Sequence, residues 1–214
     1  MSGELASTVL VTTKCSGGCQ HCPFSNPDLE KLFLAPKLIK TIMTQTASRL
    51  TVLSGGEPFE HPQISEILTD LGKQTNSFRI ATGGFVDLAP WVDKLKFLSR
   101  PAGPLRGISI GTDVLSSRVD HSKWIPIWKS NIRLFFESQI PYSLTFTTGS
   151  DLDFSRLDLW KWTGLFEGKP EFIYLRHAQD DLLDEWVRKL KDTFGDILII
   201  HDEIESKKLC EWKT

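Results

Sequence analysis

Ser7-Thr-Val-Leu-Val-Thr-Thr13-Lys14-Cys15-Ser-Gly-Gly-Cys19-Gln-His-Cys22 is the stretch from which the rest of the chain can be read. Its first half, Ser7–Thr13, is a β-rich apolar run of strand length. Its second half sets three cysteines in a C-x3-C-x2-C spacing directly after that strand. Three thiolates on one short loop can wrap one side of an iron–sulfur cubane. Gly17 and Gly18 permit positive φ and a close approach of backbone to an inorganic core. An ordinary [4Fe–4S] electron carrier uses four cysteines, so three leave one iron open to an external molecule. Two other uses stay open. A structural zinc site would need a fourth ligand, with His21 or His61 available, and only one C-x2-C knuckle is present. A redox dithiol of the C-x-x-C type would leave Cys15 unused.

Outward from this loop, short β-rich runs alternate with amphipathic stretches. Strands are predicted at Ser7–Thr13, Leu50–Ser54, Phe78–Thr82, Gly107–Ile110, Tyr142–Thr147, Glu171–Arg176 and Asp196–Ile200. Helices are predicted at Pro36–Ser48, Ile64–Lys73, Leu88–Arg100, Ile125–Gln139, Phe154–Phe166 and Asp180–Phe194. The strands read as continuous apolar runs, as strands covered on both faces do. A βαβα order implies parallel strands joined by right-handed crossovers. Six or seven units make a partial (β/α)6 barrel and fall short of an eight-fold one. Residues 1–214 are read as a single domain, with the chemistry at the C-terminal ends of the strands.

The second strand ends in Ser54-Gly55-Gly56-Glu57-Pro58. By itself this is an ordinary strand-to-helix turn, with glycine for geometry and proline as helix starter. One unit downstream of the cysteine loop, it reads differently. The two motifs in register resemble the radical S-adenosylmethionine (SAM) superfamily, as a compact member spanning the whole chain. The resemblance implies that Cys15, Cys19 and Cys22 bind a [4Fe–4S] cluster whose fourth iron chelates the amino and carboxylate groups of SAM. Reductive cleavage of SAM to a 5′-deoxyadenosyl radical, which abstracts a substrate hydrogen, is the activity it implies. His21 stands where the family often places an aromatic residue whose backbone meets the adenine. Gly55, Gly56 and Glu57 match the GGE motif, with the Gly56 carbonyl and Glu57 carboxylate expected to hold the methionyl ammonium.

The later strand ends add weaker matches. Ser109 is expected on the SAM ribose and Arg118 against the methionyl carboxylate, which suits a guanidinium fork; for both, an ordinary turn or surface role remains open. Asp113 departs from the family's commoner Ser-x-Asp arrangement. Thr145, Thr147, Thr148 and Gly149 suit ribose or adenine contacts, and an ST-turn explains them equally well. Thr82-Gly83-Gly84 is read as giving SAM or substrate room. Arg176 and His177 face substrate or lie on the surface. Trp124, Trp128, Trp160, Trp162 and Trp186 are read as core or interface, and Cys210 as structural or incidental.

Bulk properties bound the alternatives. The net charge of −2 argues against a dedicated nucleic-acid binder. No apolar run approaches the roughly 20 residues of a membrane span. The first residues lack the features of a signal peptide. Three of the four cysteines fall within eight residues, which suits a metal in the reducing cytoplasm and not a disulfide framework. An external one-electron reductant of flavodoxin or ferredoxin type is the implied partner. With no recognition domain or auxiliary-cluster signature, a peptide or protein substrate that closes the mouth of a short barrel is expected, glycyl-radical activation included. A small-molecule substrate, heterocycle or nucleoside, is the alternative. A non-catalytic iron–sulfur or zinc protein is the other.

Overall fold

The computed structural model describes residues 6–19, 22–46, 50–112, 121–148, 170–177, 183–195 and 199–201. Seven strands form one sheet in sequence order: β1 (Ala6–Thr12), β2 (Leu50–Gly55), β3 (Ser77–Thr82), β4 (Leu105–Gly111), β5 (Tyr142–Thr148), β6 (Ile173–His177) and β7 (Ile199–His201). Every neighbouring pair is parallel. Five helices are described: α1 (Pro36–Gln45), α2 (Ile64–Leu71), α3 (Val92–Leu98), α4 (His121–Glu137) and α5 (Leu183–Phe194). Sequential parallel strands with intervening helices are the partial α/β barrel that the sequence pattern predicts. The predicted helix Phe154–Phe166 lies outside the described residues, as do Trp160, Trp162, Cys210 and the side chain of Trp186.

One expectation about the strands is corrected. Burial alternates along β2 and β3, with every second residue fully buried and the others half-buried. The apolar face carries Leu53, Phe78, Ile80, Ile108, Ile110, Leu144 and Phe146, all essentially inaccessible, and belongs to one core with Ile39, Met43, Leu68 and Phe135 of the helices. The opposite face lines the barrel and carries Ser54, Arg79, Ser109, Ser143 and Thr145. Along β2 and β3 the strands are therefore dry on one face only. A lumen must leave room for polar groups, so its face cannot be filled as a two-sided core is.

Two irregularities shape the mouth and the floor. Leu10 pairs with Ser54 but Thr12 with Gly55, so Val11 is an extra residue on β1. Phe78 pairs with Leu105 but Ile80 with Ile108, giving β4 an extra residue beside Gly107. Such bulges bend a strand and redirect the chain beyond it. The first turns the chain into the cysteine loop. The loop then returns along the other edge of β1, where Leu34 N–H donates to Val11 O (2.9 Å) and Thr13 N–H to Leu32 O (3.0 Å).

Candidate functional site

At the carboxyl end of β1, the cysteine loop is stitched to the turn after β2. Gly56 N–H donates to Thr12 O (2.7 Å) and Glu57 N–H to Lys14 O (2.7 Å). These rungs prolong the β1–β2 ladder past the ends of both strands. Gly55 has φ 133°, and a Cβ there would collide with the Thr12 carbonyl. A Cβ on Gly56 would collide with the carbonyl of Lys14. The double glycine thus lets two backbones touch, a local need the sequence motif alone did not disclose.

Cys15, Cys19 and Cys22 form no disulfide among the described residues. Cys19 is buried, whereas Cys15 and Cys22 are half-buried. Cys22 N–H donates to Cys19 O (3.0 Å). Gly17 N–H points at Cys15 Sγ (3.4 Å). Gly18 has φ 70°, with open space where a side chain would project. Gly17 lies against Phe85, whose ring also blocks any side chain at Gly83. Phe85 in turn meets Trp124 of α4 edge-on, at 5.2 Å between centroids. Phe85 therefore wedges the cysteine loop against the loop after β3. The sequence reading missed it, because a lone phenylalanine after Gly83-Gly84 has no local signature.

Burial pushes the Cys15 thiol up to about 11, with Glu57, Glu60 and Cys22 adding to the rise and the Gly17 amide opposing it. A thiol in that setting ionises readily only beside added positive charge, which cluster irons supply. Among the described residues no three or more His, Cys, Asp or Glu side chains gather as a single metal ion requires. A cubane asks for less, one thiolate per iron. His61 does not complete a zinc site. Its Nδ1 accepts from Gln63 N–H (3.0 Å), which leaves Nε2 to donate to Leu34 O (3.0 Å). Both ring nitrogens are thus engaged. The described donors are thus the three cysteines, a set that suits a cluster with one open iron; His21, the other candidate zinc ligand, lies outside the described residues.

Glu57 is inaccessible to solvent. Thr82 Oγ1 lies 2.9 and 2.8 Å from its two oxygens. Gly83 N–H donates to Oε2 (3.0 Å) and Phe59 N–H to Oε1 (3.2 Å). Burial raises its carboxyl to about 7, against the pull of these hydrogen bonds. Thr82 and Gly83, in the turn that the sequence reading assigns to giving SAM or substrate room, hold this carboxylate. Ser109 sits on the lumen face of β4, with its Oγ 3.1 Å from Ser143 Oγ. That is two residues inside the strand, deeper than its mouth. His21, Asp113 and Arg118 lie outside the described residues. Trp128, 1% exposed, is core as expected and donates from Nε1 to Gly111 O (2.8 Å).

No family model matches the sequence, and no curated protein matches it by sequence. Solved structures do match in fold. SuiB of Streptococcus suis bound to S-adenosylmethionine superposes with a TM-score of 0.67 at 13% identity, over 92% of this chain and 49% of SuiB. SuiB bound to its precursor peptide SuiA gives 0.68 at 14% identity, over 94% and 49%. A radical SAM methyltransferase from Sphaerobacter thermophilus gives 0.59 at 13%, over 91% and 65%. The chain thus spans about half the length of SuiB. With the cysteine loop and the Gly-Gly-Glu turn joined at the barrel mouth, the chain has the fold of the radical SAM enzymes.

Proposed function

We propose that this chain is a radical SAM enzyme, binding a [4Fe–4S] cluster through Cys15, Cys19 and Cys22 and SAM at the adjoining Gly55-Gly56-Glu57 turn. The observation that carries the reading is the direct splice of the two motifs, through the Gly56 and Glu57 amides, at the mouth of a barrel of this fold. When bound, the cluster and SAM supply a one-electron reductive cleavage and a carbon radical that takes hydrogen from substrate. The chain's own part is to bind, orient and shield. The cysteine loop presents its three thiols from one side. The Gly56 carbonyl and the Glu57 carboxylate receive the methionyl ammonium. Glu57 enters near its own titration range, and a neighbouring cation favours the charged carboxylate over the protonated one. Ser109 serves the ribose, Arg118 the methionyl carboxylate and His21 the adenine side. An external flavodoxin or ferredoxin supplies the electron, and residues 1–214 act as one domain.

A peptide or protein is the substrate class we favour. SuiB, of like fold, is a structure bound to a precursor peptide. Anaerobic reconstitution with iron and sulfide, then dithionite and SAM, tests the chemistry. Deoxyadenosine formed by the wild type and lost in Cys19→Ala is the expected result. A cluster-loaded protein that neither binds nor cleaves SAM would overturn the reading. Uptake of one zinc and no cluster would overturn it earlier.

A further inference from the structure

Beyond the Gly56 and Glu57 rungs, the splice between the two motifs has a third. Ser16 N–H donates to the Glu60 carboxylate at Oε1 (2.7 Å). The acceptors and donor on the cysteine side are thus Thr12 O, Lys14 O and Ser16 N–H, at every second residue, as along a strand. The first two rungs are backbone to backbone. At the third the chain after β2 has already turned into Pro58–Glu60, a single 3-10 turn, and a side chain takes over. The side chain of Glu60 is only 8% exposed, and its Oε2 is buried with no hydrogen bond from the described residues. Lys14 Nζ lies 3.7 Å from that oxygen and is itself half exposed. A buried carboxylate that keeps one oxygen on a loop amide and the other near one solvated ammonium is placed for the loop, not for the surface.

We propose that Glu60 is the positioning residue of the cysteine loop, fixing the Ser16 amide and thereby the direction of the adjacent Cys15 thiol. This rests on the cluster reading above for its consequences, but not for the tether itself. Ser16 lies between Cys15 and Gly17, and the Gly17 amide points at Cys15 Sγ. Holding Ser16 therefore holds both the thiol and its amide donor. Its negative charge also stands beside the loop, where it opposes the addition of an electron to a bound cluster.

Glu60→Gln and Glu60→Ala separate the two effects. The amide of Gln keeps an oxygen for Ser16 N–H and removes the charge; Ala removes both. In metal-free, reduced protein, alkylation of Cys15 by iodoacetamide, read by peptide mass spectrometry, should be several-fold faster in Glu60→Ala and near wild type in Glu60→Gln. Far-ultraviolet circular dichroism checks that both variants are folded. In reconstituted protein, iron loss to a chelator should be about tenfold faster in Glu60→Ala alone. The cluster midpoint potential should rise in both variants, since both lose the charge. Cys15 reactivity and cluster lability equal in all three proteins would overturn the proposal, even if all three hold a cluster. If the wild type takes up no cluster, the functional reading fails, and the alkylation comparison alone decides the tether. A Glu60→Ala chain that does not fold leaves Glu60→Gln to decide: an unchanged midpoint potential there would overturn the electrostatic role.

Discussion

Glu57 is a glutamate whose environment runs against its charge. Burial raises its carboxyl to about 7 from the ordinary 4.5, and Glu60 adds to the rise. Between those values the native protein keeps a proton that the unfolded chain has released. Stability from this group is therefore full below about pH 4.5 and is lost as pH rises towards 7 and beyond. The gap corresponds to roughly 3 kcal/mol at most. Denaturant unfolding of the metal-free protein at pH 5 and pH 8 should show the wild type losing part of that amount. Glu57→Gln should lose distinctly less over the same range, although Thr82 and Gly83 then face a weaker acceptor. Identical pH slopes in the two proteins would mean that Glu57 titrates elsewhere. The residue type and its place after two glycines were legible in the sequence. Its partners were not, because Thr82 and Gly83 lie on the next strand and its loop.

At the scale of elements, α4 does more than cover the sheet. Trp124, Trp128, Ile132 and Phe135 recur at helical spacing and are buried. From the same helix Asn131, fully buried, reaches the loop after β3 with all its amide atoms. Its Nδ2 donates to Gly84 O (3.1 Å) and Val86 O (2.8 Å), and its Oδ1 accepts from Leu88 N–H (2.9 Å). Asn131→Ala strands two buried backbone groups and a part-buried third, and should cost about 2–3 kcal/mol of unfolding free energy. A loss below about 1 kcal/mol in denaturant titration would mean water replaces the amide. The helix also begins earlier than the sequence predicts. The sequence pattern places its first turn at Ile125, but the helix runs from His121 with Pro126 inside it. A proline inside a helix removes its own N–H from the ladder and crowds the carbonyl four residues back; here the helix continues through it, with Trp124 packed edge-on against Phe85.

Across the whole molecule, the lower lumen is closed by one long side chain. Arg79 of β3 passes over Gly107, whose missing side chain leaves the space. Its guanidinium donates to Arg106 O (3.2 Å), Ser143 Oγ (3.4 Å) and Glu171 Oε2 (3.1 Å), and lies 4.8 Å from the Phe172 ring centroid. Elements β3, β4, β5 and the approach to β6 are thereby joined at one point. Arg79→Ala should cost roughly 1–2 kcal/mol, its ion-pair partner Glu171 being half exposed, and Arg79→Lys should recover little, since one ammonium cannot reproduce a fork that reaches three acceptors. Full recovery by lysine in thermal unfolding would show that charge alone matters there. By itself the sequence determined the parallel order of the strands, the three-cysteine loop and the turn after β2. Each is encoded within a few residues, by β-rich runs, by thiol spacing, and by glycines where no side chain fits. Only the tertiary structure decided that Glu60 meets Ser16, that Phe85 wedges Gly17, and that Arg79 spans the lumen. Those pairings depend on register between strands, and on bulges at Val11 and beside Gly107 that shift it by one residue. Periodicity names the face a residue occupies, and register names its neighbour; a hydrogen bond between distant segments needs both.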